Sequence, residues 1–534
     1  MPIRVNNQDM NISAESSDSV LVIGAGIAGL ATALRLAHAG MAVTVLERGA
    51  EVGGKMRTLP SDAGPVDAGP TVLTMRPVFE ELFESVGETL SSHLTLIPET
   101  ILARHWWHDG STLDLHADPA ASEAAIEAFA GPRAASDFRK FSAKAKALYE
   151  AFDAPMMQSA APSQFDLTLR VLRQPSLIAA MAPHLTLAQS LNRSFKDKRL
   201  AQLFGRYATY VGGSPFAAPA LLGLIAHSEA RGVWRIEGGM HRLARTLRSL
   251  AQARGARFIT GADVTRFEVQ QGRICAAHTA NGTRYAAGTV VFNGDPRALN
   301  TGLLGNAAKA AVPTKGTDPR SLSAYVYAFA ATPEGPELTH HNVFFARDPR
   351  AEFDPIAAGH MPDDPTLYIC AQDRGTGTTP AALERFEIIM NGPPRAGTDS
   401  QEKDQCQTRV FETLAQFGLT FTPRPPPKTL TTPEEFNSLF PASQGSLYGR
   451  SPHGLTASLA RPTARSRLPG LYLAGGGAHP GAGIPMATLS ARHAAEAILQ
   501  DRTSTSTSQK TVMRGGMSTA SPTMANAPSR SSVS

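Results

Sequence analysis

The sequence predicts an α/β fold: a Rossmann-like dinucleotide domain joined to an α+β region and a helical segment. Three observations predict it. Residues 20–47 run as apolar strand, glycine loop, helix and a second strand ending in an acid. Residues 470–499 repeat the order strand, glycine loop, helix near the far end of the chain. Between them, 257–292 reads as short strands broken by Gln271-Gly272 and Asn281-Gly282, dipeptides suited to hairpin turns.

Taken in order, 20–23 is the continuous apolar run of a parallel strand buried on both faces. Gly24, Gly26 and Gly29 follow at G-x-G-x-x-G spacing. They suit a tight turn, a close backbone approach to pyrophosphate, and close packing of helix on strand. Residues 28–39 form a helix whose first amides face the phosphates, and Gly40 stops it. Residues 43–46 are a second strand, and Glu47 stands where a carboxylate accepts ribose hydroxyls. An acid there argues against a 2′-phosphate, which leaves FAD or NAD over NADP.

Arg48 and then Gly53, Gly54, Lys55, Met56 and Arg57 make a second glycine turn carrying cations. Its place directly after the nucleotide unit gives it a phosphate role in preference to that of a solvated basic loop. Residues 65–72 are a Pro/Gly-punctuated loop, and 101–115 a hairpin around Asp109-Gly110. Trp106 and Trp107 beside His105 and His108 read as sheet packing, because no third metal ligand lies near. From 122 to 203 the pattern is helical, with an apolar face on 134–152. Residues 167–191 carry only Arg170 and Arg173 as charges; they suit either a membrane interface or internal packing. Aromatic residues of 194–225 are expected in the core, with some free to line a tunnel. A helix is expected over 241–254, strands over 324–330 and 367–371, and a helix over 401–417. The unit 470–486 leads into a last helix, 487–499, and the Ser/Thr/Ala/Pro-rich 501–534 reads as a disordered tail.

Composition sets the outer bounds. A chain of 534 residues with 42% hydrophobic and 18% charged residues suits a globular enzyme of two or three domains. The net charge of +5 has no Lys/Arg-rich block behind it, so nucleic acid is not expected as a partner, while an anionic membrane face remains open. Cys275, Cys370 and Cys406 show no C-x-x-C spacing and read as thiols in a reducing compartment. Residues 1–19 lack a signal-peptide core, and no apolar stretch reaches membrane-spanning length. The expected location is cytoplasmic, in solution or on a membrane face.

The residues 24–29, Glu47, Gly53-Gly54 with Arg57, and Asp67-Ala68-Gly69-Pro70-Thr71 resemble the amine-oxidase-like flavoproteins. Within these the chain resembles the bacterial phytoene desaturase family of carotenoid dehydrogenases. The resemblance implies FAD, with Gly24, Gly26, Gly29, Glu47 and Arg48 at its ADP half. It places Gly54, Lys55, Arg57, Gly69, Pro70 and Thr71 in the loops beneath the flavin. Val264 stands where a backbone contact to adenine is made, and Gly476, Gly477, Ile484, Pro485 and Met486 belong to the C-terminal FAD motif. Segment 443–448 resembles the family's stretch near the substrate mouth. Where amine oxidases carry an acid after glycine, this chain has Gly476-Gly477, which puts amine oxidation in doubt. His479 stays open between a base and a loop histidine bonded to backbone.

Segments 53–57, 64–74, 107–115 and 231–240 point further, to the purple-bacterial branch of that family, over about residues 18–500. This implies desaturation at C-3,4 of a 1-hydroxy (or 1-methoxy) acyclic carotenoid such as 1-hydroxyneurosporene, by hydride transfer to flavin N5. It implies oxygen or a quinone as electron acceptor and a peripheral place on the inner (chromatophore) membrane of a photosynthetic bacterium. No catalytic acid or base is assigned and no metal is expected. The implied domains are 18–75, 228–298 and 465–500 for FAD, 76–120 and 299–464 for substrate, and 121–227 as a helical lid with membrane contact. Alternatives are phytoene desaturation, carotenoid cis-trans isomerisation without net redox, and a non-enzymatic prenyl-binding role; amine or protoporphyrinogen oxidation is disfavoured by the missing acid.

Overall fold

A computed structural model describes residues 19–514, apart from 376, 378 and 398–400, with side chains up to residue 504. The apolar run at the start of the described chain is a strand, Ser19–Ile23, at the centre of a five-stranded parallel sheet. Its neighbours are Thr289–Phe292 on one side and Ala42–Glu47 on the other. Leu471–Leu473 and Arg257–Thr260 close the two edges. Three strands from far along the sequence therefore return to the first βαβ unit.

Small residues let the helix Ile27–His38 sit close on this sheet. A Cβ on Gly29 would come 2.0 Å from the carbonyl oxygen of Gly24. Ala28, Ala31 and Ala33 are fully buried beside it. The helices His241–Ala253 and Ile484–Arg514 pack against the same face. Leu243 and Leu247 are 0% exposed there, and truncating either to Ala costs about 2–5 kcal/mol. The opposite face carries a three-stranded antiparallel sheet, Val264–Gln270, Arg273–Thr279 and Arg284–Ala286.

The second sheet has eight strands and is mixed. Ser323–Glu334, Glu384–Gly392, Leu367–Ala371 and His341–Phe344 run antiparallel in that order. His341–Phe344 then pairs in parallel with Ile101–Trp106, whose hairpin partner is Thr112–His116. Trp106 stacks on Phe344, and Trp107 and His105 stack on Phe345, so the Trp/His hairpin packs a sheet as its sequence suggests.

A helical layer from Pro119 to Ala230 covers one face of this sheet. Its long helix, Pro132–Phe152, buries Phe141, Ala145, Leu148 and Phe152. The low-charge stretch 167–191 is not one amphipathic element. It is divided among Gln164–Leu172, Pro175–Met181 and Leu187–Ser194, with Pro175 opening the second helix. The last helix also differs from expectation: it runs to Arg514 instead of ending at 499. Asp501 is held by Arg465 at 2.9 Å and by the Tyr472 hydroxyl at 2.8 Å, which anchors the turn beyond the expected end. Residues 515–534 of the expected tail lie outside the described residues. No helix among the described residues is long and apolar enough to cross a membrane.

Candidate functional site: a nucleotide cleft opening on an apolar cavity

The first glycine loop is closed by backbone and by one acid. Gly24 adopts φ +96°, open to glycine without strain. Glu47 accepts hydrogen bonds from the amides of Ala25, at 2.6 Å, and Gly49, at 2.7 Å. Its carboxylate thus lies against the phosphate loop at the end of its strand. Asn293 donates through Nδ2 to the Gly24 carbonyl at 3.2 Å, tying the neighbouring strand to the same turn.

The second glycine turn folds back on the first. A Cβ on Gly54 would stand 3.1 Å from Gly26 Cα, and Gly53 donates its amide to the Ala25 carbonyl at 2.8 Å. Lys55 follows on this turn, next to the 443–448 segment. Its side chain is accessible and donates to the Leu447 carbonyl, yet the enclosing protein pushes its pKa down to about 8. Arg57 donates to Thr431 Oγ1 at 2.6 Å, while its buried Nε has no partner. Arg48 points elsewhere: it donates to the Ser438 carbonyl at 2.8 Å and lies 3.7 Å from Asp263, on the outer rim near Val264.

Asp67 ties the next loop to the nucleotide domain by accepting from the Met240 amide at 2.7 Å, at the start of His241–Ala253. Gly69, Pro70 and Thr71 follow and line a cavity of about 920 Å³. Thr71 and Tyr368 share a hydrogen bond of 2.9 Å. Gly483, Ile484 and Pro485, at the N-terminus of the last helix, line the same cavity, with Tyr448. Met486 continues that first turn. Of segment 443–448, Tyr448 reaches this cavity, while Ser443 and Ser446 are buried.

Gly477 explains the missing acid. A Cβ there would stand 2.4 Å from Pro296 Cδ, so the position has no room for a side chain. Arg461, unremarked in the sequence, fills the neighbourhood instead. It donates to the carbonyls of Gly476, Tyr448 and Arg450 at 2.7, 2.8 and 2.7 Å, and burial lowers its pKa to about 10. His479 is buried and hydrogen-bonds the Ser159 carbonyl through Nε2 at 2.8 Å, stacked on His493. Its partner is backbone of the helical layer, so it acts as a clasp between that layer and the nucleotide domain.

The cavity also holds polar groups that no local motif announced. Arg206, Tyr210 and Glu229 line one wall, and Glu352 with Asn391 another. Asn391 donates to Glu352 at 2.8 Å, and burial pushes the Glu352 carboxyl up to about 7. His340, His341 and Cys370 place ligand-type atoms within 4.8 Å of one another behind Tyr368. Arg235 stands 3.4 Å from His340 Nδ1, and its charge opposes a cation there. Helices and sheet strands far apart in sequence bring these groups together, which is why spacing did not reveal them.

The cradle fits a dinucleotide cofactor. Gly26 and Gly54 meet at backbone contact, and the unpartnered Arg57 Nε together with the accessible Lys55 supply cations beside the loop. The chain matches the family described as flavin containing amine oxidoreductase over residues 27–499. It is 58% identical to a hydroxyneurosporene desaturase of Cereibacter sphaeroides, over 91% of this chain and 98% of that one. A second hydroxyneurosporene desaturase, from Rhodobacter capsulatus, is 51% identical over 92% and 99%. Among solved structures, a putrescine oxidase redesigned in its cofactor binding superposes with a TM-score of 0.59 at 12% identity, over 90% of this chain and 99% of that one, a likeness of fold. The chain therefore belongs to the flavin-containing amine oxidoreductase family, in the group formed with the hydroxyneurosporene desaturases.

Proposed function

We propose that this protein is an FAD-dependent carotenoid desaturase that introduces the C-3,4 double bond into a 1-hydroxy or 1-methoxy acyclic carotenoid such as 1-hydroxyneurosporene. The observation that carries the reading is that Gly69–Thr71 and Gly483–Pro485, from two loops far apart in sequence, line one cavity of about 920 Å³. Bound FAD supplies a two-electron acceptor that takes a hydride at N5. Gly24, Gly26, Gly29 and Glu47 hold its ADP half, with Arg48 and the Val264 backbone at the rim. Gly54, Lys55 and Arg57 hold the phosphate region, and Gly476, Gly477, Ile484, Pro485 and Met486 close the cradle.

The chain's own part is to bind, orient and exclude water. The cavity wall is largely side chains of the second sheet and the helical layer, and apolar burial at about 25 cal/mol per Å² holds the polyene. A hydride leaves one carbon and a proton its neighbour; the electrons pass finally to oxygen or a quinone. A peripheral membrane contact supplies the lipid-soluble substrate. Phe165 and Leu172 are 75% and 63% exposed on the outer helix Gln164–Leu172, beside exposed Arg170 and Arg173. Apolar residues flanked by cations suit an anionic bilayer face.

The test is product mass. FAD-loaded protein in liposomes is incubated with 1-hydroxyneurosporene and, separately, with phytoene. Loss of two hydrogens from the first alone is expected. Conversion of phytoene alone overturns the reading, and a product of unchanged mass favours isomerisation.

A further inference from the structure

The cavity contains a cation whose hydrogen-bonding capacity is mostly unused. Arg206 lines the wall, and among the described residues its guanidinium makes one hydrogen bond, from Nη2 to the Tyr210 hydroxyl at 3.2 Å. No carboxylate among the described residues lies within ion-pair distance of it. Glu229 is close in the network but already occupied. Its two oxygens accept from Tyr210, at 2.5 Å, and from Tyr207. Arg206 is further fixed by stacking over the Tyr210 ring at 5.3 Å. A guanidinium presents five donors in a rigid fork; against the cost of burial, the tyrosines and the nearby Glu229 carboxylate hold this one charged, with its pKa raised, while most of its N–H donors have no protein acceptor. The arrangement is that of a site awaiting an acceptor atom.

The reaction proposed above says where such an atom must be. The substrate oxygen sits on C-1, and the bond to be desaturated begins at C-3. Three covalent bonds of about 1.5 Å separate them, so the oxygen lies within about 4 Å of C-3. A group that reads this oxygen must therefore stand beside the reacting carbons, within the cavity. Arg206 shares the wall of this cavity with Thr71 and Tyr368, whose hydroxyl lies 2.9 Å from Thr71 Oγ1, and Val72, Tyr210 and Tyr368 pack against one apolar cluster.

We propose that Arg206, oriented by Tyr210, is the subsite that recognises the oxygen on C-1 of the substrate and so positions C-3 and C-4 for desaturation. The inference rests on the desaturase reading. The guanidinium donates to that oxygen, which serves a hydroxyl and a methyl ether alike, since both offer a lone pair. A carotenoid hydrocarbon of the same length offers none and leaves the cation unsatisfied. A hydrogen bond to a charged group is worth about 1.5–3 kcal/mol, so the preference is about 10- to 100-fold.

Neurosporene, 1-hydroxyneurosporene and 1-methoxyneurosporene are offered separately in liposomes to FAD-loaded protein. Polyene retained on the protein is read by absorbance, and turnover is read by product mass. The wild type is expected to retain both oxygenated carotenoids at least about tenfold over neurosporene, and Arg206→Met to bring the ratio within about threefold. Arg206→Lys, which keeps a donor, restores part of the preference. Tyr210→Phe, which removes one hydroxyl and preserves the ring, weakens it and carries the test if Arg206→Met does not hold flavin. Equal retention of all three by the wild type, or an unchanged ratio in flavin-loaded Arg206→Met, overturns the subsite. Preferential retention without desaturation of any carotenoid leaves the subsite standing and overturns the reaction; desaturation without preference does the reverse.

Discussion

The nucleotide end and the cavity end of this protein are built from different material. At the nucleotide end the backbone does the shaping. Gly24, Gly26, Gly29, Gly53 and Gly54 bring loop against loop, and one carboxylate, Glu47, closes the turn. At the cavity end the shape comes from side chains on elements far apart in sequence: Arg206, Tyr210 and Glu229 from the helical layer, Tyr368 and Asn391 from the sheet. The first end fixes a cofactor common to a large family; the second is where the proposed choice of carotenoid is made. Backbone sites tolerate no added atoms, whereas side-chain sites can be retuned one residue at a time.

That contrast predicts the largest effect at a glycine. Gly29→Val places a branched side chain where even a Cβ would stand 2.0 Å from the Gly24 carbonyl oxygen. Loss of flavin-loaded soluble protein is expected, read by the ratio of flavin to protein absorbance. Wild-type flavin content in this variant would break the account of the helix–strand contact.

Acid should strike the other end first. His105 and His340 are buried in the second sheet, where burial lowers their pKa values to about 3 and about 4. The unfolded chain takes up protons on these histidines below about pH 6.5 and the folded chain does not. Stability therefore falls as pH drops from 6.5 towards 4, by on the order of 1 kcal/mol per pH unit for each histidine. Urea midpoints measured across that range check the sign, and His105→Gln should flatten the slope. A midpoint that rises on acidification contradicts it.

Glu47→Ala is expected to weaken FAD retention by about tenfold, because it removes both the proposed ribose acceptor and the partner of the Ala25 amide. Full occupancy in this variant, measured by flavin release on dilution, rejects the ribose assignment. The smallest effect belongs to the outer helix. Replacing Phe165 and Leu172 by Ser should weaken binding to anionic vesicles by about tenfold while leaving flavin content intact. Unchanged co-sedimentation places the membrane contact elsewhere.

The two ends also differ in how far the sequence discloses them. The strand–loop–helix unit and Glu47 lie within 28 consecutive residues, so spacing alone reveals their geometry. The C-terminal glycines are equally visible, but the reason Gly477 carries no acid is not: it is Pro296, 181 positions earlier, that fills the space. Arg461 and Arg206 sit in unremarkable local sequence, and only the fold gives them carbonyls to hold or a cavity to face. Stretch 167–191 looks continuous by charge, yet its prolines divide it into separate helices. At the C-terminus, composition suggested disorder from 501, while Arg465 and Tyr472 hold Asp501 in a continuing helix. Local rules see periodicity and glycine spacing; they do not see which distant side chain arrives.

The most direct test of the central claim is the oxidation state of the flavin itself. FAD-loaded protein is mixed without oxygen with liposomes carrying 1-hydroxyneurosporene or phytoene, and the flavin absorbance in the blue is followed. Bleaching with 1-hydroxyneurosporene and not with phytoene is predicted, with one double bond gained per flavin bleached. A flavin that stays oxidised with 1-hydroxyneurosporene, or bleaches with phytoene alone, contradicts the account.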